Sequence, residues 1–148
     1  MEFEWTNPWV VGGLIFVVLF YAQYIHLILI RNKVRESASD IDVQLKKRYD
    51  LIPNMLHMAA KFMDHEYSIM TELTELRVKA MSNTFVNSPK EKMELESLLN
   101  QKLNEFKVSL ENYPDLKSNQ TMITAMQSMN EVEEHIAAAR RFYNSNVT

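Results

Sequence analysis

The sequence predicts an all-α protein: an N-terminal transmembrane helix continuing into an antiparallel, coiled-coil-like three-helix bundle. Three observations predict it. Residues 9–30 read WVVGGLIFVVLFYAQYIHLILI, 22 positions without Asp, Glu, Lys or Arg. Beyond them, apolar residues recur every three or four positions, the signature of amphipathic helices. The two glycines of the 148 residues, Gly12 and Gly13, both lie inside the apolar run. With only four prolines besides, the chain has little material for tight hairpins or phosphate-cradling loops.

At a rise of about 1.5 Å per residue the apolar run reaches roughly 33 Å, enough for a hydrocarbon core of about 30 Å. A cleaved signal peptide would need a positive start, a shorter apolar stretch and a small-residue cleavage site. Here the start is acidic (Glu2, Glu4) and the run ends Leu-Ile-Leu-Ile-Arg31, so an uncleaved anchor is expected. Arg31, Lys33, Arg35, Lys46, Lys47 and Arg48 all follow the run. The positive-inside bias then places residues 1–8 outside, 9–30 across the inner membrane as a single pass, and 31–148 in the cytoplasm. Trp5 and Trp9 fall where an outer aromatic belt belongs. Gln23 and His26, three apart, share one helical face with Gly12 on roughly the same side. They read either as a helix–helix contact within the membrane or as groups hydrated near the inner headgroups.

From Val34 the stripe Ala38, Ile41, Leu45, Tyr49, Ile52, Leu56, Ala59, Met63, Tyr67, Met70, Leu73, Leu76, Ala80 keeps three-four spacing throughout. That predicts one arm over residues 31–83, continuous with the span, with Pro53 kinking it one turn upstream. Residues 82–88 (SNTFVNS) are the first turn. Ser88-Pro89-Lys90-Glu91 is a helix start, with Ser as N-cap, Pro at the first helical position and Glu completing a capping box. The second helix spans 89–112 on Leu95, Leu99, Leu103, Phe106 and Leu110, and Tyr113-Pro114 stops it. The last spans 118–148 on Met122, Met126, Met129, Val132, Ile136, Ala139 and Tyr143. The methionines read as a soft core, or alternatively as an adaptable partner groove.

Composition also narrows function. All 16 Lys and Arg follow Ile30 while Glu2 and Glu4 precede it, leaving 17 acids and a net −1 beyond the span. No nucleic-acid partner is expected from that balance. With no cysteine there is no disulfide framework, thiolate zinc site or cysteine nucleophile. Di-iron bundles need Glu-x-x-His on two helices. His26, His57, His65 and His135 are instead preceded at that offset by Gln23, Asn54, Phe62 and Val132. No metal or other cofactor is expected, and Lys46-Lys47-Arg48 reads as a solvated face.

Three segments carry a family resemblance: 32–54 (NKVRESASDIDVQLKKRYDLIPN), 113–119 (YPDLKSN) and 134–147 (EHIAAARRFYNSNV). In this order, behind an N-terminal anchor, the chain resembles the LemA family. The resemblance implies a bacterial membrane protein with an outside N-terminus and a cytoplasmic helical bundle. It implies no catalytic residues. One branch of the family is linked to magnetosome membranes, which makes a specialised intracellular membrane the alternative location. Structural jobs are implied for Arg48 and Asp50 (polar contacts) and for Pro53 (the kink), with Tyr49 a further residue of the family motif. Tyr113, Pro114, Asp115, Leu116 and Asn119 would form the interhelix turn, and Arg140, Tyr143 and Asn144 would serve the last helix. Family members usually continue past the Tyr-Asn segment, so a truncated or incomplete chain with exposed apolar surface is expected. The expected function is a non-catalytic scaffold or interaction protein, alternatively a sensor transmitting through the continuous helix. Its expected partners are the lipid bilayer and a second copy or another membrane-associated protein.

Overall fold

The computed structural model describes residues 8–63 and 65–148. The expected outer segment with Trp5 lies outside the described residues, apart from Pro8. Helix α1, Pro8–Ala59, runs 52 residues without interruption, about 78 Å at the α-helical rise. It is followed by α2 (Tyr67–Ser82), α3 (Pro89–Leu110), the single turn α4 (Pro114–Lys117) and α5 (Gln120–Val147). No strand occurs among the described residues. The all-α class, a long apolar N-terminal helix leading into a bundle, is as the sequence predicts.

The helix count is not. The arm expected as one helix over 31–83 is two, broken at residues 60–66. At the break the ladder tightens: Lys61 N donates to Met58 O (3.3 Å) and Phe62 N to Ala59 O (2.9 Å), both three residues back. Packing explains the break. A straight arm would hold its apolar stripe far beyond the 22 residues of α3 or the 28 of α5. Folding back lets α1 pack mainly on α5, α2 on α3, and α1 on α2. The bundle thus has four long antiparallel helices.

Its core joins Ile41, Leu45, Ile52 and Met55 of α1 to Leu73, Leu99, Phe106, Leu116 and Met122. Met63, Met70 and Met129 are also buried, while Met58 and Met126 pack at the edge, so the methionines do act as a soft core. Boundaries follow local chemistry. Pro89 and Pro114 occupy first-turn positions of their helices. Asn119 caps α5, its Oδ1 accepting from Thr121 N (2.9 Å) and Met122 N (3.4 Å). Ser88 precedes Pro89 as expected, but the capping box does not form. At ψ 71° the residue lies short of the extended range caps use, and its side chain makes no cap bond.

Candidate functional site

Two helices place charges where their own apolar rhythm points inward. On α1 the sequence Ile41, Leu45, Arg48, Ile52, Met55, Ala59 puts Arg48 on the core stripe; on α3, Lys92 and Glu96 lead into Leu99, Leu103, Phe106 and Leu110. Burying such groups is tolerated only when they are paired and hydrogen-bonded.

Arg48 is 0% exposed. Its guanidinium pairs with Glu96. Its Nη1 also donates to Asn100 Oδ1 (2.6 Å) and to Glu133 Oε1 (3.0 Å), linking α1 to both α3 and α5. Arg48 Nε has no hydrogen-bond acceptor among the described residues. The neighbouring Tyr49 hydroxyl donates to Glu96. Lys92 Nζ donates to Ala80 O (2.6 Å) and Asn83 O (2.8 Å), closing the C-terminal end of α2. It also lies 4.8 Å from the centre of the Tyr49 ring and 3.7 Å from Glu96 Oε1. Two cations thus meet two carboxylates, those of Glu96 and Glu133.

The surroundings tune these groups. Burial pushes the Tyr49 phenol up to about 12, opposed by the Arg48 charge. Burial lowers the Lys92 ammonium from its ordinary value, opposed by Asp42 and reinforced by Arg48.

Pro53 sits within the same turns. Its missing N–H leaves the Tyr49 carbonyl without an intrahelical donor. Arg77 of α2 supplies one, its Nε donating to Tyr49 O at 2.6 Å. Nearer the apolar run, the Asp42 carboxylate accepts from Phe85 N (2.6 Å) and Val86 N (3.4 Å) in the α2–α3 turn. The Phe85 ring meets Tyr143 of α5 edge-on, centroids 5.1 Å apart. Arg48 and Tyr49 therefore form a hub touching α2, α3 and α5. Arg48, Tyr49, Lys92 and Glu96 are closed to solvent, while Glu133 is half-exposed at the rim, and together they tie the helices to one another. Away from it, Leu110, Met122, Ile123 and Met126 line an open cleft of about 430 Å³ between α3 and α5, with Lys107 and Lys117 also at its wall.

Above the bundle, α1 carries a stretch of mean hydropathy 2.2, none of it buried inside the protein, which is long and apolar enough to cross a membrane. A family model described as the LemA family matches residues 37–148. The chain belongs to the LemA family. None of the curated proteins compared with it matches. The LemA match begins at Ser37 and so covers the bundle, while residues 9–30 lie outside it.

Within this LemA bundle the residues singled out from sequence divide. Arg48, Tyr49 and Pro53 converge on the hub, and Arg140 lies near enough for its charge to act on Tyr49. Tyr113 is half-buried and precedes the α4 turn, Pro114 and Asp115 start that turn, and Leu116 fills the core beneath it. Asn119 is the α5 cap and Tyr143 the partner of Phe85.

Others are elsewhere. Asp50 is exposed rather than in a polar contact, because its position in α1 points away from the stripe; Asp42, two turns earlier, makes the carboxylate contacts instead. Asn144 is exposed and contributes its backbone carbonyl to Thr148 N (3.3 Å). Gln23 and His26 are exposed on the part of α1 that nothing in the bundle covers. Arg48 itself corrects the solvated face expected for residues 46–48: Lys46 and Lys47 are exposed, Arg48 is not.

Arg77, Lys92, Glu96, Asn100 and Glu133 were not foreseen. For Lys92 and Glu96 a signal existed, since both fall in phase with Leu99 and Leu103.

Proposed function

We propose that this protein is a single-pass membrane-anchored scaffold, holding a non-catalytic helical bundle at the cytoplasmic face of the cell membrane. One observation carries the reading: α1 runs unbroken from the apolar stretch into the Arg48–Tyr49 hub. With no hinge between them, the anchor fixes the height and rotation of the bundle, as a platform for partners requires. The exposed Arg31, Lys33, Arg35, Lys46 and Lys47 beyond the apolar stretch favour the cytoplasmic side. A tag at each end with protease treatment of intact spheroplasts checks orientation; a protected N-terminal tag and a cleaved C-terminal tag would reverse it. Crosslinking in membranes is expected to recover a second copy or another membrane-associated protein, and recovery of monomer alone removes the scaffold reading.

A second reading, a sensor, is favoured by Pro53 lying one turn beyond a hub that reaches three other helices. Movement of the anchor would then reach α2 through Arg77 and α3 through Glu96. Under this reading Pro53→Ala alters a signalling output while leaving the bundle folded; an unchanged output removes it.

A further inference from the structure

The register between α1 and α5 fixes how the bundle meets a bilayer. Arg48 of α1 bonds Glu133 of α5 at 3.0 Å. Both helices rise equally in opposite directions, so the same register brings Tyr143 opposite Ala38 and Val147 opposite Val34. Burial agrees: Ser37 and Ala38 are buried and Val34 half-buried, although all three lie closer to the apolar run than Asp42, where the α2–α3 turn is tied. The Phe85 ring of the α2–α3 turn reaches Tyr143, at the level of Ala38, so the α1–α5 pair projects beyond that turn by about four residues of α1, about 6 Å.

Val34 is four residues past Ile30, about 6 Å along α1. The headgroup layer on each side of a bilayer is about 5–7 Å deep, the difference between core and total thickness. The last turn of α5 consequently reaches that layer. Its surface there is Asn144, Ser145 and Val147, all exposed. The cations exposed around this end are Arg31, Lys33 and Arg35 of α1 and Arg141 of α5; the acids are Glu36 and Asp40. Helical side chains lean toward the N-terminus, so those of α1 lean toward the bilayer and those of the antiparallel α5 lean away from it. Arg141, opposite Asp40, stands within about one Debye length of the layer.

We propose that the membrane-facing end of the α1–α5 pair is a docking surface for anionic phospholipid headgroups, which seats the bundle against the leaflet. This rests on residues 9–30 spanning the membrane. Lipid is the occupant because the rigid α1 leaves only the headgroup layer at that height, and the excess of cations matches its charge.

The chain contains no cysteine, so single labelling sites are clean. The full-length protein is reconstituted in phosphatidylcholine vesicles with and without phosphatidylglycerol. A fluorophore is attached after Ile28→Cys, Val147→Cys or Ser118→Cys, the last at the far end of the bundle, and folding is checked by circular dichroism. Lipids carrying a quencher on the headgroup are expected to quench position 147 several-fold more than position 118, and acyl-chain quenchers to reach position 28. Quenching at 28 with 147 no better quenched than 118 overturns the docking and leaves the anchor standing. No quenching at 28 overturns the anchor itself, and the docking with it. Arg141→Gln is expected to lower the preference for phosphatidylglycerol about twofold, the roughly fivefold effect of a surface cation attenuated over about one Debye length. A preference unchanged by Arg141→Gln overturns the assignment to anionic headgroups.

Discussion

Arg77→Ala tests whether Pro53 creates a need that α2 fills. The Tyr49 carbonyl lacks its helical donor because residue 53 has no N–H, and Arg77 Nε stands 2.6 Å away. A hydrogen bond from a charged donor contributes about 1.5–3 kcal/mol, and stranding a buried acceptor costs about 1–3 kcal/mol. Arg77 is half-exposed, so water reaches part of the gap; a loss of about 1.5 kcal/mol is appropriate. For a bundle of roughly this size, 1 kcal/mol moves Tm by about 4 °C, giving a fall of about 6 °C. The decisive comparison is Arg77→Ala in a Pro53→Ala background. There residue 53 regains an N–H able to bond the Tyr49 carbonyl, so the same truncation should cost no more than about 0.5 kcal/mol, a coupling near 1 kcal/mol. Thermal unfolding of the four proteins in one detergent, followed by far-ultraviolet circular dichroism, measures this directly. Equal losses in both backgrounds would refute the reasoning, because Arg77 would then stabilise through contacts unrelated to the missing donor.

Other outcomes follow from the same geometry. Glu96→Gln leaves the half-exposed Glu133 as the one carboxylate on the buried Arg48 and should cost about 3 kcal/mol in urea unfolding, whereas the double change Arg48→Met with Glu96→Leu should cost much less. The raised phenol of Tyr49 stabilises the folded state below its unfolded value of 10.0, and that contribution is lost as pH rises toward about 12. The stability gap between the natural protein and Tyr49→Phe should therefore narrow above pH 10. A gap that stays constant to alkaline pH would contradict the burial of the hydroxyl. The lowered ammonium of Lys92 works in the opposite sense, its penalty being relieved at high pH, and it is common to both proteins. Asn119→Ala removes the acceptor for two N–H groups of α5 and should lower stability by about 1 kcal/mol, with fraying at residues 120–123 seen by hydrogen exchange.

Features legible in the sequence were those written locally. The apolar stretch, the stripes of α3 and α5, the start at Pro89 and the stop at Tyr113-Pro114 depend on neighbours within one or two turns. The break at residues 60–66 was not legible, because no Gly or Pro marks it and the apolar phase passes through it, with Met63 buried inside the loop. The hub was half legible. Arg48 and Tyr49 stood out through the family resemblance, but the partners lie 28 to 85 residues away along the chain. Only the assembled bundle, in which α1 packs on α5 and α2 and reaches α3 through long side chains, reveals them. Asp50 drew attention beside Arg48, yet two residues of helix rotation, about 200°, send it to the opposite side.

The pairing of α1 with α5 also sets the order in which the protein can be built. A ribosome delivers about 5–20 residues per second. Glu133 follows Arg48 by 85 positions, so about 4–17 s separate their synthesis. During that interval α1 lacks its main packing partner, and its inward stripe, with Arg48 on it, stays open to water or to a chaperone. Closure waits for α5, so nascent chains arrested before residue 133 should remain protease-sensitive beyond Ile30.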